Sequence, residues 1–279
     1  MAESPKVAII TGGASGMGLA VARTLANRPD WHVAILDLHE RDALTTLGAA
    51  SSFHRANVSS YDSLASVFHE IYTTHKRLDF VFANAGIAEH ANFYAIHDVD
   101  GPPPPVTGLD PIVDIDLKSV VMTAYLALYY FRKSPGETRD KSIVMTASCG
   151  GLYPSYYSPI YTATKHGVVG FMRSIARHFF LQEGIRVNAV CPGIVRTNLL
   201  DAKEWANFPD AYFTPVEKIA ETVVMMVDGM DEQVKVEGQI WGKAVEVSGV
   251  KHYYRDAPEF CDEAMRAVMG ATDIVELKT

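Results

Sequence analysis

Short, continuously apolar runs alternate with longer stretches of helical period along most of the chain. Lys6-Val-Ala-Ile-Ile-Thr11 is apolar throughout and partly β-branched, as a strand covered on both faces requires. Similar runs at His32–Asp37, Ser52–Val58, Asp79–Ala83, Lys141–Ala147, Ile185–Cys191 and Gly238–Val247 predict six more strands. Between them the pattern predicts helices at Leu19–Ala26, Tyr61–Lys76, Asp110–Phe131, Tyr157–Leu181 and Pro215–Gly229. Strand and helix in steady alternation imply one parallel sheet, doubly wound, with helices on both faces and right-handed crossovers. No repeat or linker divides the chain, so residues 1–279 are expected to form a single α/β domain. Three stretches break the pattern: a proline-rich surface loop at 87–107, a loop or short helix at 197–215, and a tail at 248–279. A short helix is predicted near Cys261–Met269 in that tail.

The composition adds limits. The chain is 48% hydrophobic and 21% charged, an ordinary globular profile, and its net charge of −8 argues against nucleic acid or an anionic membrane as partner. Three scattered cysteines, Cys149, Cys191 and Cys261, form no disulfide framework and no C-x-x-C pair. With no secretory signal pattern at the N-terminus, a reducing cytoplasmic setting is expected. No His/Cys/Asp/Glu spacing suggests a metal site. The longest apolar run, Val120–Phe131, is too short to span a bilayer and reads as a buried helix at a subunit contact.

Candidate chemistry begins at the first strand. Thr11-Gly-Gly-Ala-Ser-Gly16-Met-Gly18 lies between strand and helix, where free backbone N–H groups and the helix dipole favour an anion. Gly12, Ser15, Gly16, Met17 and Gly18 are therefore candidate contacts of a dinucleotide pyrophosphate. Asp37 ends the second strand about 20 residues on, where a ribose 2′-hydroxyl acceptor belongs, and its charge would repel a 2′-phosphate. NAD is the expected cofactor. Tyr161 and Lys165 stand four apart and share one helix face. A tyrosine of pKa about 10 becomes a base near neutrality only with about 4 kcal/mol of preferential stabilisation of its anion. A neighbouring ammonium and an oxidised nicotinamide ring both act in that direction. Ser148 adds an uncharged hydroxyl for a substrate oxygen. Cys149 has no base beside it and is expected to line the pocket, and His166 faces elsewhere on the helix.

These motifs, Thr11-Gly-x-x-x-Gly-x-Gly18, Asn84-Ala-Gly86, Ser148, Tyr161-x-x-x-Lys165 and Pro192-Gly193-Ile-Val-x-Thr197, resemble those of the short-chain dehydrogenase/reductase family in order and spacing. The resemblance covers Lys6 to Val247 and implies a Rossmann-type fold. It also implies a general acid/base role for Tyr161, with Lys165 lowering its pKa and binding the nicotinamide ribose. Asn57, Val58, Asn84, Ala85 and Gly86 would line the adenosine side, and Pro192, Gly193, Ile194 and Thr197 would hold the nicotinamide amide. Within the family the chain is most similar to hydroxyprostaglandin dehydrogenases, on Tyr161-Thr-Ala-Thr-Lys-His-Gly-Val-Val-Gly-Phe-Met-Arg and Ser248-Gly-Val-Lys-His-Tyr-Tyr-Arg-Asp.

Two positions depart from the family pattern. Asn57 replaces an aspartate, a mild change. Asp116 replaces the asparagine that holds a proton-relay water. It either faces Lys165, where its charge would raise the pKa of Tyr161, or turns to solvent and pairs with Lys118. Around the catalytic segments Leu152, Tyr153, Tyr156, Tyr157, Phe208, Tyr212 and Phe213 suggest an apolar pocket for a lipophilic or aromatic secondary alcohol or its ketone. The expected protein is thus an NAD-dependent alcohol dehydrogenase, a homodimer or homotetramer. A non-redox isomerase or cyclase on the same scaffold and a nucleotide-sensing protein with weakened turnover are the alternatives.

Overall fold

The apolar runs become strands in a computed structural model that describes residues 4–41, 47–98, 100–200, 202–206, 208–231 and 240–274. In chain order the elements are β1 (Lys6–Thr11), α1 (Gly16–Ala26), β2 (Trp31–Asp37), β3 (Ser51–Arg55), α2 (Tyr61–His75) and β4 (Phe80–Ala83). They continue with α3 (Leu109–Val113), a π-helical turn (Asp114–Lys118), α4 (Ser119–Lys133), β5 (Ser142–Thr146), α5 (Pro159–Glu183) and β6 (Arg186–Pro192). Last come α6 (Ala202–Trp205), α7 (Val216–Asp228), β7 (Ala244–Ser248), β8 (Lys251–Arg255) and α8 (Glu263–Gly270). Of the strand expected over Gly238–Val247, Gly238 and Gln239 lie outside the described residues, and the pairing begins at Ala244.

The strands form one sheet in the order β3-β2-β1-β4-β5-β6-β7-β8. Every pairing is parallel except β7 with β8. This antiparallel edge strand falls in the stretch expected only as a tail. Its period-2 pattern is weak, and it exists because Gly249, at φ +54°, turns the chain back in a two-residue hairpin. One apolar layer packs α2, α4 and α5 against the sheet, and a second packs α1 and α7 against the other face. No helix among the described residues is long and apolar enough to cross a membrane.

Strand order reverses between β1 and β4, and such a switch point opens a crevice at the strands' carboxyl ends. Polar side chains hold the floor of that crevice. The Thr11 hydroxyl accepts hydrogen bonds from the backbone N–H groups of Asn84 (3.0 Å) and Ala85 (3.1 Å). The Asn84 amide donates to the carbonyls of Thr11 (3.1 Å) and Gly12 (3.3 Å) and accepts from the Thr146 hydroxyl (3.1 Å). One side chain thus ties the ends of β1, β4 and β5 together. Replacing Asn84 by alanine leaves these carbonyls and the Thr146 hydroxyl without their partner. We expect a loss of about 1–3 kcal/mol in chemical denaturation. An unchanged denaturation midpoint would show that the clamp contributes nothing.

Candidate active site

The glycine turn owes its shape to two close approaches. Gly12 adopts φ +63°, and a Cβ there would sit 2.9 Å from the Ala85 Cα. A Cβ on Gly18 would lie 2.3 Å from the Gly12 carbonyl oxygen, so α1 can start this close to β1 only with glycine at that position. Ser15 caps α1 without a side-chain hydrogen bond, and the first turn of α1 holds no acidic residue. Its N–H groups therefore face the crevice with their partial positive charge unopposed.

Above this turn lies a cavity of ≈450 Å³. Gly12, Ser15, Gly16 and Met17 line one part of it, Asp37, Asn57 and Val58 the end beyond β2 and β3, and Asn84, Ala85 and Gly86 the wall at β4. Gly18 does not line it; its role is the tight packing of α1 on β1. The Asp37 carboxylate accepts from the Ala14 N–H (3.1 Å) and the Leu38 N–H (2.8 Å), which point it at the cavity rim beside Arg41. An uncapped helix N-terminus, an elongated cavity and a carboxylate at its end fit a dinucleotide. Pro192, Gly193 and Ile194 line a second, smaller cavity of ≈180 Å³, and Thr197 lines both.

Tyr161 and Thr146 also border both cavities, Lys165 and Asp116 the larger, and Ser148 the smaller. The Lys165 ammonium is 5.3 Å from the centre of the Tyr161 ring and donates to the Thr146 carbonyl (3.3 Å). Asp116 settles the question its sequence position left open. It is fully buried, its Oδ1 accepts from the Ile87 N–H (2.8 Å), and its Oδ2 stands 3.3 Å from Lys165 Nζ. That contact is an ion pair without a directed hydrogen bond. Lys118 pairs instead with Asp114 (3.0 Å). The cause is the π turn over Asp114–Lys118, which widens the helix at this point and sends Asp116 fully inward, with Ile115 and Leu117 partly buried beside it and Lys118 outside.

Burial pushes the Tyr161 phenol above its ordinary pKa; the Lys165 cation and the Ser148 hydroxyl oppose the rise, and Asp116 adds to it. Lys165 thus lowers this pKa, as expected, but desolvation of the phenolate outweighs one ammonium shared with a carboxylate, and the net shift from the protein groups is upward. For Lys165, burial is the largest influence and works against the cation, yet Asp116 and Tyr161 together raise its pKa. Burial pushes Asp116 up as well, against the pull of Lys165 and the Ile87 N–H.

Of the seven flanking apolar residues, only Tyr157 and Phe208 line the smaller cavity. Leu152 packs on the core, Tyr153 donates to Glu246 (3.1 Å), Phe213 lies under Arg196 (4.2 Å), and Tyr156 and Tyr212 are exposed. Sequence reasoning missed Leu199, Leu200 and Trp205, which complete the apolar wall from the 197–215 loop. It also missed Glu89, whose Oε2 accepts from the Tyr161 backbone N–H (2.8 Å). A loop acid outside the motifs themselves, bonded to a backbone N–H 72 positions away, carried no signal. Cys149 lines the smaller cavity, and burial raises its thiol pKa, which disfavours a nucleophile. His166 is exposed on the far face of α5.

The short chain dehydrogenase family model matches residues 6–207. The chain is 51% identical over 273 residues to the short-chain dehydrogenase/reductase prx7 of Penicillium rubens, covering 92% of this chain and 96% of that protein. It is 31% identical over 208 residues to human 15-hydroxyprostaglandin dehydrogenase [NAD(+)], covering 71% of each. A 3-oxoacyl-[acyl-carrier protein] reductase from Brucella melitensis, solved in complex with NAD, superposes with a TM-score of 0.70 at 23% identity, over 81% of this chain and 91% of that one. The chain belongs to the short-chain dehydrogenase/reductase family, and its fold is the Rossmann-type fold of that family. The close contact at Gly18 yields a direct test. Gly18→Ala is expected to weaken dinucleotide binding at least tenfold by calorimetry, because the turn must open; wild-type affinity would refute the packing argument.

Proposed function

We propose that this protein interconverts a lipophilic or aromatic secondary alcohol and its ketone with NAD(H), using Tyr161 as the general acid/base. The observation that carries the reading is the position of Tyr161 on the wall between a dinucleotide-shaped cavity and a small apolar one, with Ser148 and Lys165 beside it. The Asp37 carboxylate at the far end of the larger cavity favours a free 2′-hydroxyl over a 2′-phosphate, and the human relative named above is an NAD(+) enzyme. When bound, the nicotinamide group accepts or donates the hydride.

The chain's own residues do the rest. Ser148 holds the substrate oxygen against the Tyr161 hydroxyl. In the oxidative direction the phenolate takes the carbinol proton, and in the reductive direction the phenol returns it. Lys165 stabilises the phenolate by its charge and holds the cofactor's ribose. The apolar wall from Ile194 to Phe208 keeps water from the reacting carbon. Asp116 has a positioning role. Its carboxylate keeps Lys165 protonated and in place, at the cost of part of the ammonium's effect on Tyr161. Residues 1–279 act as one catalytic domain. The subunit contact of a homodimer or homotetramer is assigned to α4, where Val121, Tyr125 and Tyr129 make an exposed stripe at i, i+4 and i+8.

Tyr161→Phe should lower kcat at least about a hundredfold while NAD binding persists; retained turnover would remove the tyrosine from the chemistry. The alternative of a pure nucleotide sensor predicts ligand binding and no turnover in either protein. Asp116→Asn removes the negative charge beside Lys165. The carboxylate raises the phenol's pKa, oxidation needs the phenolate, and activity therefore rises with pH through that pKa. Removing the charge should move the rising limb of the rate profile acidward by about one pH unit. An unmoved limb would show that Asp116 does not act on Tyr161.

A further inference from the structure

Glu89 lies three residues beyond Gly86 in the loop after β4 and is exposed over only 8% of its surface. Its Oε2 is held by the Tyr161 N–H at 2.8 Å, in the first turn of α5. Its Oε1 is buried and has no hydrogen-bond partner. A buried acceptor without a donor carries an unmet desolvation cost, and a binding pocket is where a ligand can meet it. Glu89 is also the only charged side chain among the described residues lining the ≈180 Å³ cavity at Tyr161.

A further cavity of ≈530 Å³ lies on the other side of Glu89. Four residues, Glu89, Tyr157, Leu200 and Phe208, line both spaces and so form the partition between them. Tyr157 is largely exposed, so one side chain of the partition is not fixed by packing. We propose that Glu89 accepts a hydrogen bond from a second hydroxyl of an elongated, uncharged alcohol, whose body runs from the Tyr161 cavity through this partition into the outer one. The proposal rests on the oxidoreductase reading above and names the substrate class of that same site.

The class follows from the charges. The Glu89 carboxylate sits at the positive end of a 25-residue helix and already accepts one N–H, so a neutral donor is enough to complete it. A carboxylate-bearing substrate would meet an acid with no cation among the described residues of the ≈180 Å³ cavity, and His90 of the outer cavity already faces Glu204 at 3.2 Å. A diol satisfies Oε1, whereas the same molecule with its second hydroxyl methylated leaves it bare.

The test uses the full chain with NAD and a series of aryl–alkyl carbinols bearing a distal hydroxyl at different chain lengths, each beside its distal methyl ether. The wild-type protein should oxidise the free hydroxyl form with kcat/KM at least about tenfold higher at one spacing. In Glu89→Gln the amide oxygen takes over the Tyr161 N–H and an NH₂ donor faces the pocket. The preference should then vanish or reverse toward the ether. Equal ratios in the two proteins, or oxidation of both forms without preference at every spacing, overturn the proposal and leave the oxidoreductase reading standing. Absence of oxidation for the whole series overturns both. If the variant fails to fold, the wild-type ratios decide alone, since a preference that peaks at one spacing requires a fixed acceptor in the pocket.

Discussion

The site depends on one ammonium group, that of Lys165, kept charged although the residue is only 2% exposed. Its side chain is almost fully buried, and burial works against its charge. Asp116 and Tyr161 offset this, and the Thr146 carbonyl takes one of its hydrogens. The arrangement is a balance. The carboxylate that keeps the lysine protonated also competes with the phenol for the lysine's charge, and burial makes all three interactions strong. Asparagine at this position would relieve the competition and leave the lysine less supported. The aspartate keeps the lysine charged but makes Tyr161 a weaker acid until a second positive charge arrives beside it.

The sheet supplies the precision such a balance requires. Thr146 ends β5, Asp116 sits on the π turn before α4, and Tyr161 and Lys165 occupy adjacent turns of α5. Three elements thus meet at one point, and their backbones are fixed by the two packed layers on either side of the sheet. The Asn84 clamp ties the ends of β1, β4 and β5 together, so the floor of the larger cavity and the wall carrying Tyr161 are built on one surface. The 197–215 loop closes the apolar side. Trp205 is anchored by its ring N–H on the Thr197 carbonyl (3.2 Å) and stands edge-on to Phe213.

Most of the fold was legible because strands covered on both faces read as unbroken apolar runs, and β1, β2 and β5 stand where those runs stand. Strand ends then located the glycine turn, Asp37 and Ser148. What stayed hidden has local causes. The strand β8 alternates exposed and covered positions, but its residues, Lys251-His-Tyr-Tyr-Arg255, show no matching apolar–polar alternation, and it is held in place by its hairpin partner. The inward turn of Asp116 comes from a π-helical widening that no residue pattern announces. Glu89 serves a helix start 72 positions away in sequence, a contact visible only once the chain has folded. The aromatic residues near the motifs suggested a pocket, but exposed Tyr156 and Tyr212 show that nearness in sequence does not decide which side chains face it.

The central claim is that the Tyr161 phenolate is governed by the balance of charge around Lys165, with the oxidised cofactor tipping it. The most direct measurement is a pH titration of ultraviolet tyrosinate absorbance in the NAD⁺ and NADH complexes, with the Tyr161→Phe protein subtracted to isolate one residue. The account predicts that this tyrosine ionises at clearly lower pH in the NAD⁺ complex than in the NADH complex. Identical titrations in the two complexes would contradict it.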